Sequence, residues 1–366
     1  MDTSDENITF DKNGVCDHCI GFEQDVLPSW DTTDKGKKSL ETIIKKVKSS
    51  KKGNQFDSII GLSGGLDSSY LLHLVVTEYN LKPLVFHVDG GWNTDIAVNN
   101  IQMLVDKLGL ELFTEVINWE EMRALQLSFF KSGVSHLDTP QDHAFVATLY
   151  HFANKNNIKY ILNGTNYSTE CVRNPLQWIY HGTDLKQIKY IQKEFGTKKL
   201  KSFPFSNILF HKIFLRYFKN IKVIKPLNYV KYNKNEAIDI LKKEYNWMPY
   251  PQKHFESRFT KFFEGYWLTT RFGYDTRRTQ FSSLILTNQM TRNEALEKLK
   301  QSPYDPKTIE EEFQYISNKL NIKTSELSSY HSMPLKSYKD YPNQDNLFKL
   351  GSNSLKNLGI EKAVKR

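Results

Sequence analysis

Ser63, Gly64, Gly65, Leu66, Asp67, Ser68 and Ser69 form the run whose types and spacing most directly suggest chemistry. The short apolar stretch DSIIGL ends just before it, and SSYLLHLVVTEY, with helical spacing, begins inside it. A strand turning into a helix there would aim unpaired N–H groups and the positive end of the helix dipole at one point, which makes an anion site. Paired glycines let the chain bend and let a phosphate approach the backbone with no Cβ in the way, while Ser63, Ser68 and Ser69 add hydroxyl donors. Asp67 would repel phosphate, so it reads either as a Mg²⁺ ligand bridging phosphate oxygens or as a helix cap. The run matches neither GxxxxGK[ST] nor GxGxxG.

Such a loop needs a sheet to hold it. Beyond it the chain alternates: a strand at PLVFHVD, a helix at NTDIAVNNIQMLVDKL, a strand at ELFTEVI, a helix in HAFVATLYHFANKNN and a strand at KYILNG. Helices of this length between strands impose crossover connections, so the expectation is an α/β fold, a parallel sheet with helices on both faces. Ligands of such folds sit at the carboxyl ends of the strands. Gly164, Thr165 and Asn166 follow the last strand at that same edge, as a ligand loop. Pro140 to His143 stand just before a helix, so Asp142 is either a cap or a carboxylate facing the site. Glu170 and Cys171 come next, and Cys171, with no paired base in sequence, reads as a buried structural thiol.

Four segments are expected: an N-terminal segment with CxxC over 1–50, a nucleotide-type α/β domain over 51–200, a helical basic and aromatic region over 201–322, and a polar tail over 323–366 that packs loosely. The first segment is read as peripheral to the core. In the third, Lys253, His254, Glu256, Arg258, Lys261, Arg271, Asp275, Arg277 and Arg278 lie among aromatics. They read either as a basic outer face or as partly buried cations that demand an anionic partner. With 366 residues, 39% hydrophobic and 25% charged, the chain can bury a large core, which excludes a small binding module and wholesale disorder. Three cysteines exclude a disulfide scaffold, and the absence of a long apolar run argues against membrane insertion and for a cytoplasmic protein. Lys and Arg total 50 against 41 Asp and Glu, a net +9 that permits polyanionic partners without choosing among them.

SGGLDSS at a strand–helix junction resembles the signature of the PP-loop ATP pyrophosphatases. That resemblance implies ATP and Mg²⁺, with the phosphates on Ser63 to Ser69, the metal on Asp67, and the adenine near His87, Val88 and Asp89, chiefly through backbone contacts. Gly164 and Thr165 join the ATP site. Taken together, FDKNGVCDHC, SGGLDSS, TPQDHA, NGTNYSTE, KHFESRFTKFFEGYWL, YDTRR, SSLI and MTRNEAL resemble the N-acetyl sugar amidotransferase family of surface-polysaccharide and O-antigen biosynthesis, the WbpG type, over roughly residues 1 to 305. The family converts the acetamido group of a nucleotide-linked sugar into an acetamidino group with ATP and ammonia.

On this resemblance Asp67, Asp142 and Lys253 are catalytic, and His254, Arg258, Arg277 and Arg278 bind the nucleotide sugar. A second CxxC that the family carries before MDTSDENITFD is not in this sequence, so Cys16 and Cys19 would supply two ligands of an incomplete Zn²⁺ site, with Cys171 or a nearby His to complete it. No cysteine follows Met1, and neither CDHC nor ECV makes a glycine-flanked nucleophile elbow, which implies a separate glutaminase subunit. Two alternatives stay open: a tRNA-modifying PP-loop enzyme, either a thiolase or a lysidine-type ligase, and a noncatalytic nucleotide-binding scaffold. The first needs a contiguous basic face for nucleic acid, whereas the basic residues here are mixed with acids and aromatics.

Overall fold

The computed structural model describes residues 1–51, 53 and 55–357, the last six by backbone alone. Five parallel strands form one sheet in the order β3-β2-β1-β4-β5: β1 Ser58–Gly61, β2 Pro83–Asp89, β3 Leu112–Val116, β4 Tyr160–Leu162 and β5 Lys222–Ile224. From β1 the chain moves outward through β2 and β3, then returns to the other side of β1 for β4. The strand order therefore reverses at the β1/β4 boundary, and it is there that an open α/β sheet leaves a crevice at its carboxyl edge.

Alternate strand residues face opposite layers, as the strand period of two requires. Ile60, Val85 and Leu162 pack on one face beneath the helices Leu66–Thr77, Asp95–Leu108 and Lys234–Tyr245. Ile59, Leu84, Phe86 and Ile161 pack on the other, against Ala153 of the helix Thr139–Lys155 and Leu215. The expected α/β architecture is therefore present, and helices make up most of the chain beyond β5.

Several local expectations change. The helix Trp119–Ser132, between β3 and Thr139–Lys155, has no clean stripe in sequence because it is buried on several sides, with Glu121, Gln126 and Ser128 inside along with Met122, Leu125 and Phe129. The first fifty residues are not merely peripheral: the helix Asp34–Ser49 puts Leu40, Ile44 and Val47 into the sheet-covering core. The stretch after Lys323 is not loosely packed. Leu327, on the helix Thr324–Ser332, joins the same core as Phe129, Phe130 and Trp267, and the carbonyl of buried Tyr338 accepts a 2.8 Å bond from the Gln187 side chain. Residues 358–366 of that expected tail lie outside the described residues.

Candidate active site

The loop between β1 and the helix Leu66–Thr77 has the anion-cradle form. Gly65 caps the helix with no side-chain hydrogen bond, so the first-turn N–H groups are left for a ligand. Gly64 sits at φ +79°, and a Cβ there would come within 2.7 Å of the Ala97 carbonyl oxygen, so glycine is required. Trp247 Nε1 and the Tyr250 hydroxyl, each at 3.1 Å, donate to the Gly64 carbonyl and fix the bend. Ser63, Gly65, Leu66, Asp67 and Ser68 then line a cavity of about 270 Å³, whose opposite wall includes Gly164, Thr165, Glu170, Lys234 and Lys253. Ser69 does not join them: it is fully buried and its hydroxyl has no partner.

Asp67 is not a cap. Its Oδ2 lies 2.8 Å from Lys253 Nζ, and its Oδ1 accepts from the Tyr232 hydroxyl at 2.6 Å and from Asn166 Nδ2 at 3.1 Å. Burial opposes its ionisation, but Lys253 and these donors outweigh it and hold the carboxyl below its ordinary value. Lys253 also reaches Glu170 Oε1 at 2.5 Å, and the two carboxylates keep its ammonium charged despite burial. Lys234, on the same wall, is shifted down by burial and by the Lys253 charge. Mg²⁺ asks for six oxygens in near-octahedral array, yet both Asp67 oxygens already have protein partners, and no cluster of three acidic, His or Cys side chains suited to a metal occurs among the described residues. That excludes an all-protein Mg²⁺ cage among the described residues; a Mg²⁺ arriving with ATP would take only one or two carboxylates beside the phosphate oxygens, and Asp67 and Glu170 are the acids on the loop cavity that would hold it.

A second cavity, of about 500 Å³, adjoins the first across Ser63, His254 and Glu256. Its apolar side is built by Leu62, Phe86, Val88, Phe145, Val146 and Leu149, and its polar side by Asp138, Asp142 and Glu264. His87 Nδ1 pairs with the Leu62 carbonyl at 2.8 Å and Nε2 with Asn93 Nδ2 at 2.9 Å, so the ring is committed to holding β1, β2 and the following loop together. Asp89 accepts from Gly91 N and Asn93 Nδ2 within its own turn and lies outside both cavities. Of that trio, only His87 and Val88 reach a cavity wall.

Asp142 stands in the first turn of Thr139–Lys155 and forms no cap; its carboxylate opens into the larger cavity. Solvent in the cavity reaches its side chain, yet the protein enclosing it desolvates the carboxyl and pushes it up to about 6, with His254 pulling it down and Glu264 pushing it up. Asp138 is raised further, by burial and by the Asp142 charge, although Thr260 donates to it at 2.6 Å. His254 adopts φ +68°, a strained conformation for a non-glycine residue. Burial alone would lower it, but Glu264 Oε1 at 2.9 Å, with help from Glu256, carries the imidazole to about 10. Glu256, whose carboxyl burial raises, reaches back to the Ser63 hydroxyl at 3.3 Å and so touches both cavities. Asp138, Glu170, Tyr232, Lys234 and Glu264 were not assigned roles from sequence. Glu264 alone had a local signal, a single acid inside the aromatic run FFEGYW.

The three arginines expected on the substrate lie elsewhere, since none of them lines either cavity. Arg258 pairs with Glu312 at 2.9 Å and stacks 3.5 Å from the Tyr315 ring centroid. Buried Arg277 binds both oxygens of Asp275 and donates to the Lys298 and Gln301 carbonyls. Arg278 pairs with Asp2. Each finds its anion within the chain. The zinc expectation also fails the residue test. Cys16 and Cys19 sulfurs are 3.4 Å apart, but no third ligand converges on them among the described residues. Cys171 packs with Phe22, Val26 and Val172, its Sγ 3.8 Å from the Ser283 carbonyl, and burial lifts its thiol to about 11.

Residues 256–355 match the protein family described as LPS biosynthesis protein WbpG-like, C-terminal domain. No curated protein matches the chain. Among solved structures, the NH3-dependent NAD synthetase from Campylobacter jejuni aligns at 15% identity and TM-score 0.33, covering 82% of this chain and 98% of that one. The U34-tRNA thiolase NcsA from Methanococcus maripaludis aligns at 16% identity and TM-score 0.33, covering 74% and 81%. The NMN synthetase from Francisella tularensis aligns at 14% and 0.32, covering 71% and 95%. These alignments are too loose to transfer an activity, whereas the family match spans Glu256 and Glu264 of the site itself.

Proposed function

We propose that the protein is an ATP-dependent amidotransferase that converts the acetamido group of a nucleotide-linked sugar into an acetamidino group, releasing AMP and pyrophosphate, in surface-glycan biosynthesis. The observation that carries this reading is the junction at Ser63, His254 and Glu256, where a phosphate cradle meets a cavity lined by acids and an imidazole. An amide carbonyl is a poor electrophile because its nitrogen donates into it, and its oxygen is a poor leaving group. Attack of that oxygen on the α-phosphate of ATP expels pyrophosphate and leaves an O-adenylyl imidate. Ammonia then adds to the imidate carbon and AMP departs with the former amide oxygen.

In this scheme the loop N–H groups, Ser63 and Ser68 hold the departing pyrophosphate, and Lys253, kept charged by Asp67 and Glu170, faces its charge. His254, cationic at neutral pH, stands between the cavities and balances charge on the adenylylated intermediate. Asp142, near 6, is suited to take the proton that ammonium or the attacking nitrogen must lose. Neither Cys171 nor Cys19 is prepared to hydrolyse glutamine: burial lifts Cys171 to about 11, and burial together with the Cys16 contact does the same to Cys19. A separate glutaminase subunit supplies ammonia on this reading. The reaction runs in the cytoplasm, where ATP and nucleotide sugars are found. No helix among the described residues is long and apolar enough to cross a membrane.

The test is incubation with ATP, ammonium and UDP- or CMP-linked acetamido sugars, followed by product mass spectrometry. The expected product differs from the substrate by replacement of oxygen with NH, with AMP formed in equal amount. High ammonium supports turnover and glutamine alone does not. ATP cleavage that depends on tRNA and ignores every sugar would overturn the reading.

A further inference from the structure

The net charge of +9 is not spread over the chain. Residues 195–235 hold ten Lys and Arg and not one Asp or Glu, so the remainder is close to neutral. Within that stretch the helix Phe210–Phe218, wound in wide π turns, is mounted with an apolar face outward. Its inner side docks on the helix Thr139–Lys155: Leu215 is fully buried, and the His211 ring stacks on Tyr150 with centroids 4.6 Å apart. Leu209, Ile213, Phe214, Tyr217 and Phe218 face away, with Phe218 75% exposed. Their spacing is that of one helical face. A patch of five large apolar side chains is uncommon on a protein surface that meets only water.

Basic side chains frame this patch. Lys219 Nζ lies 5.5 Å from the Phe214 ring centroid and the Arg216 guanidinium 5.7 Å from that of Tyr217, so the long stems lie along the rings. The adjoining edge strand β5 continues both characters, with exposed Lys222 and half-exposed Val223. Apolar residues at the centre and Lys and Arg at the margin fit a surface that is oily just below an anionic layer. A second copy of this chain fits poorly, because it would set one acid-free basic stretch against another. Nucleic acid would use the cations but would gain little from Leu209 and Ile213, which neither stack on bases nor bind phosphate.

We propose that the outward face of Phe210–Phe218 seats the protein on an anionic lipid surface, lying in the headgroup layer without spanning it. This is independent of the amidotransferase reading, since none of these residues lines either cavity. The test is co-sedimentation of the full chain with phosphatidylglycerol/phosphatidylcholine vesicles and with phosphatidylcholine alone, at low and high salt. Two variants accompany it: Ile213→Ser with Phe214→Ser and Phe218→Ser, and Lys219→Glu with Lys222→Glu. Binding to anionic vesicles is expected to exceed that to neutral ones by roughly tenfold, to weaken with salt, and to fall roughly tenfold in either variant, with the melting transition unchanged. Equal pelleting of wild type and variants overturns the proposal. So does an absence of vesicle binding together with self-association that the triple variant abolishes, or a preference for RNA over anionic vesicles in direct competition.

Discussion

Asp67 and Lys253 are 186 residues apart and form a charge pair beside the glycine-rich loop Ser63 to Ser69. Asp67→Asn would keep a partner for the Tyr232 hydroxyl but remove the charge that fixes and sustains the Lys253 ammonium. The expected result is a fall in kcat/KM for ATP of roughly ten- to a hundredfold, measured as AMP release, with the fold intact by circular dichroism. Turnover equal to wild type would show that the pair does not position Lys253. Asp142 behaves in the opposite sense. Its carboxyl is raised to about 6 in the folded protein, chiefly by burial, so the unfolded chain loses that proton first, near its usual value of about 4. Stability therefore falls as pH rises from about 4 to about 6 and stays lowered above that. Because solvent reaches Asp142 and screens its charge, this penalty is small, and Asp142→Asn is expected at pH 7 to melt at most about 1–2 °C higher than wild type while losing turnover. A lower melting temperature at pH 7 would mean that attraction to His254 outweighs the burial cost.

At the scale of elements, the arginines first assigned to substrate act as ties between helices. Arg277 joins the helix Arg277–Leu286 to the carbonyl end of Arg292–Lys300 and its following residue, and it binds Asp275 through paired donors. Arg277→Ala leaves a mostly buried carboxylate and two carbonyls without donors, a loss of about 3–5 kcal/mol that thermal unfolding would register. The KM for the sugar should not move in whatever protein stays folded. A raised KM with an unaltered melting temperature would return Arg277 to the substrate site. Arg258 ties Arg258–Phe262 to Ile309–Leu320 through Glu312 and Tyr315, but it is partly exposed, so Arg258→Ala is expected to cost about 1 kcal/mol or less.

At the scale of the molecule, the C-terminal helices share one core with the helices beside the sheet. Leu327 is fully buried with Phe129, Phe130 and Trp267, and Leu327→Ala is expected to lose about 2–5 kcal/mol, read from denaturant unfolding. Loss of under about 0.5 kcal/mol would show that this helix is only loosely attached. By itself the sequence determined the α/β alternation and the glycine-bent strand–helix loop from Ser63 to Ser68, because those depend on a few consecutive positions: glycines where the backbone must bend, an apolar strand before them, a helix start after them. Asp142, Lys253 and His254, singled out through motif blocks that are contiguous in the chain, all line the two cavities. Only the tertiary structure decided which charge meets which. Glu312 on Arg258, Glu170 on Lys253 and Asp2 on Arg278 follow from how segments far apart in sequence are packed. Ion pairing falls off over a few ångströms, and a list of residues does not contain those distances.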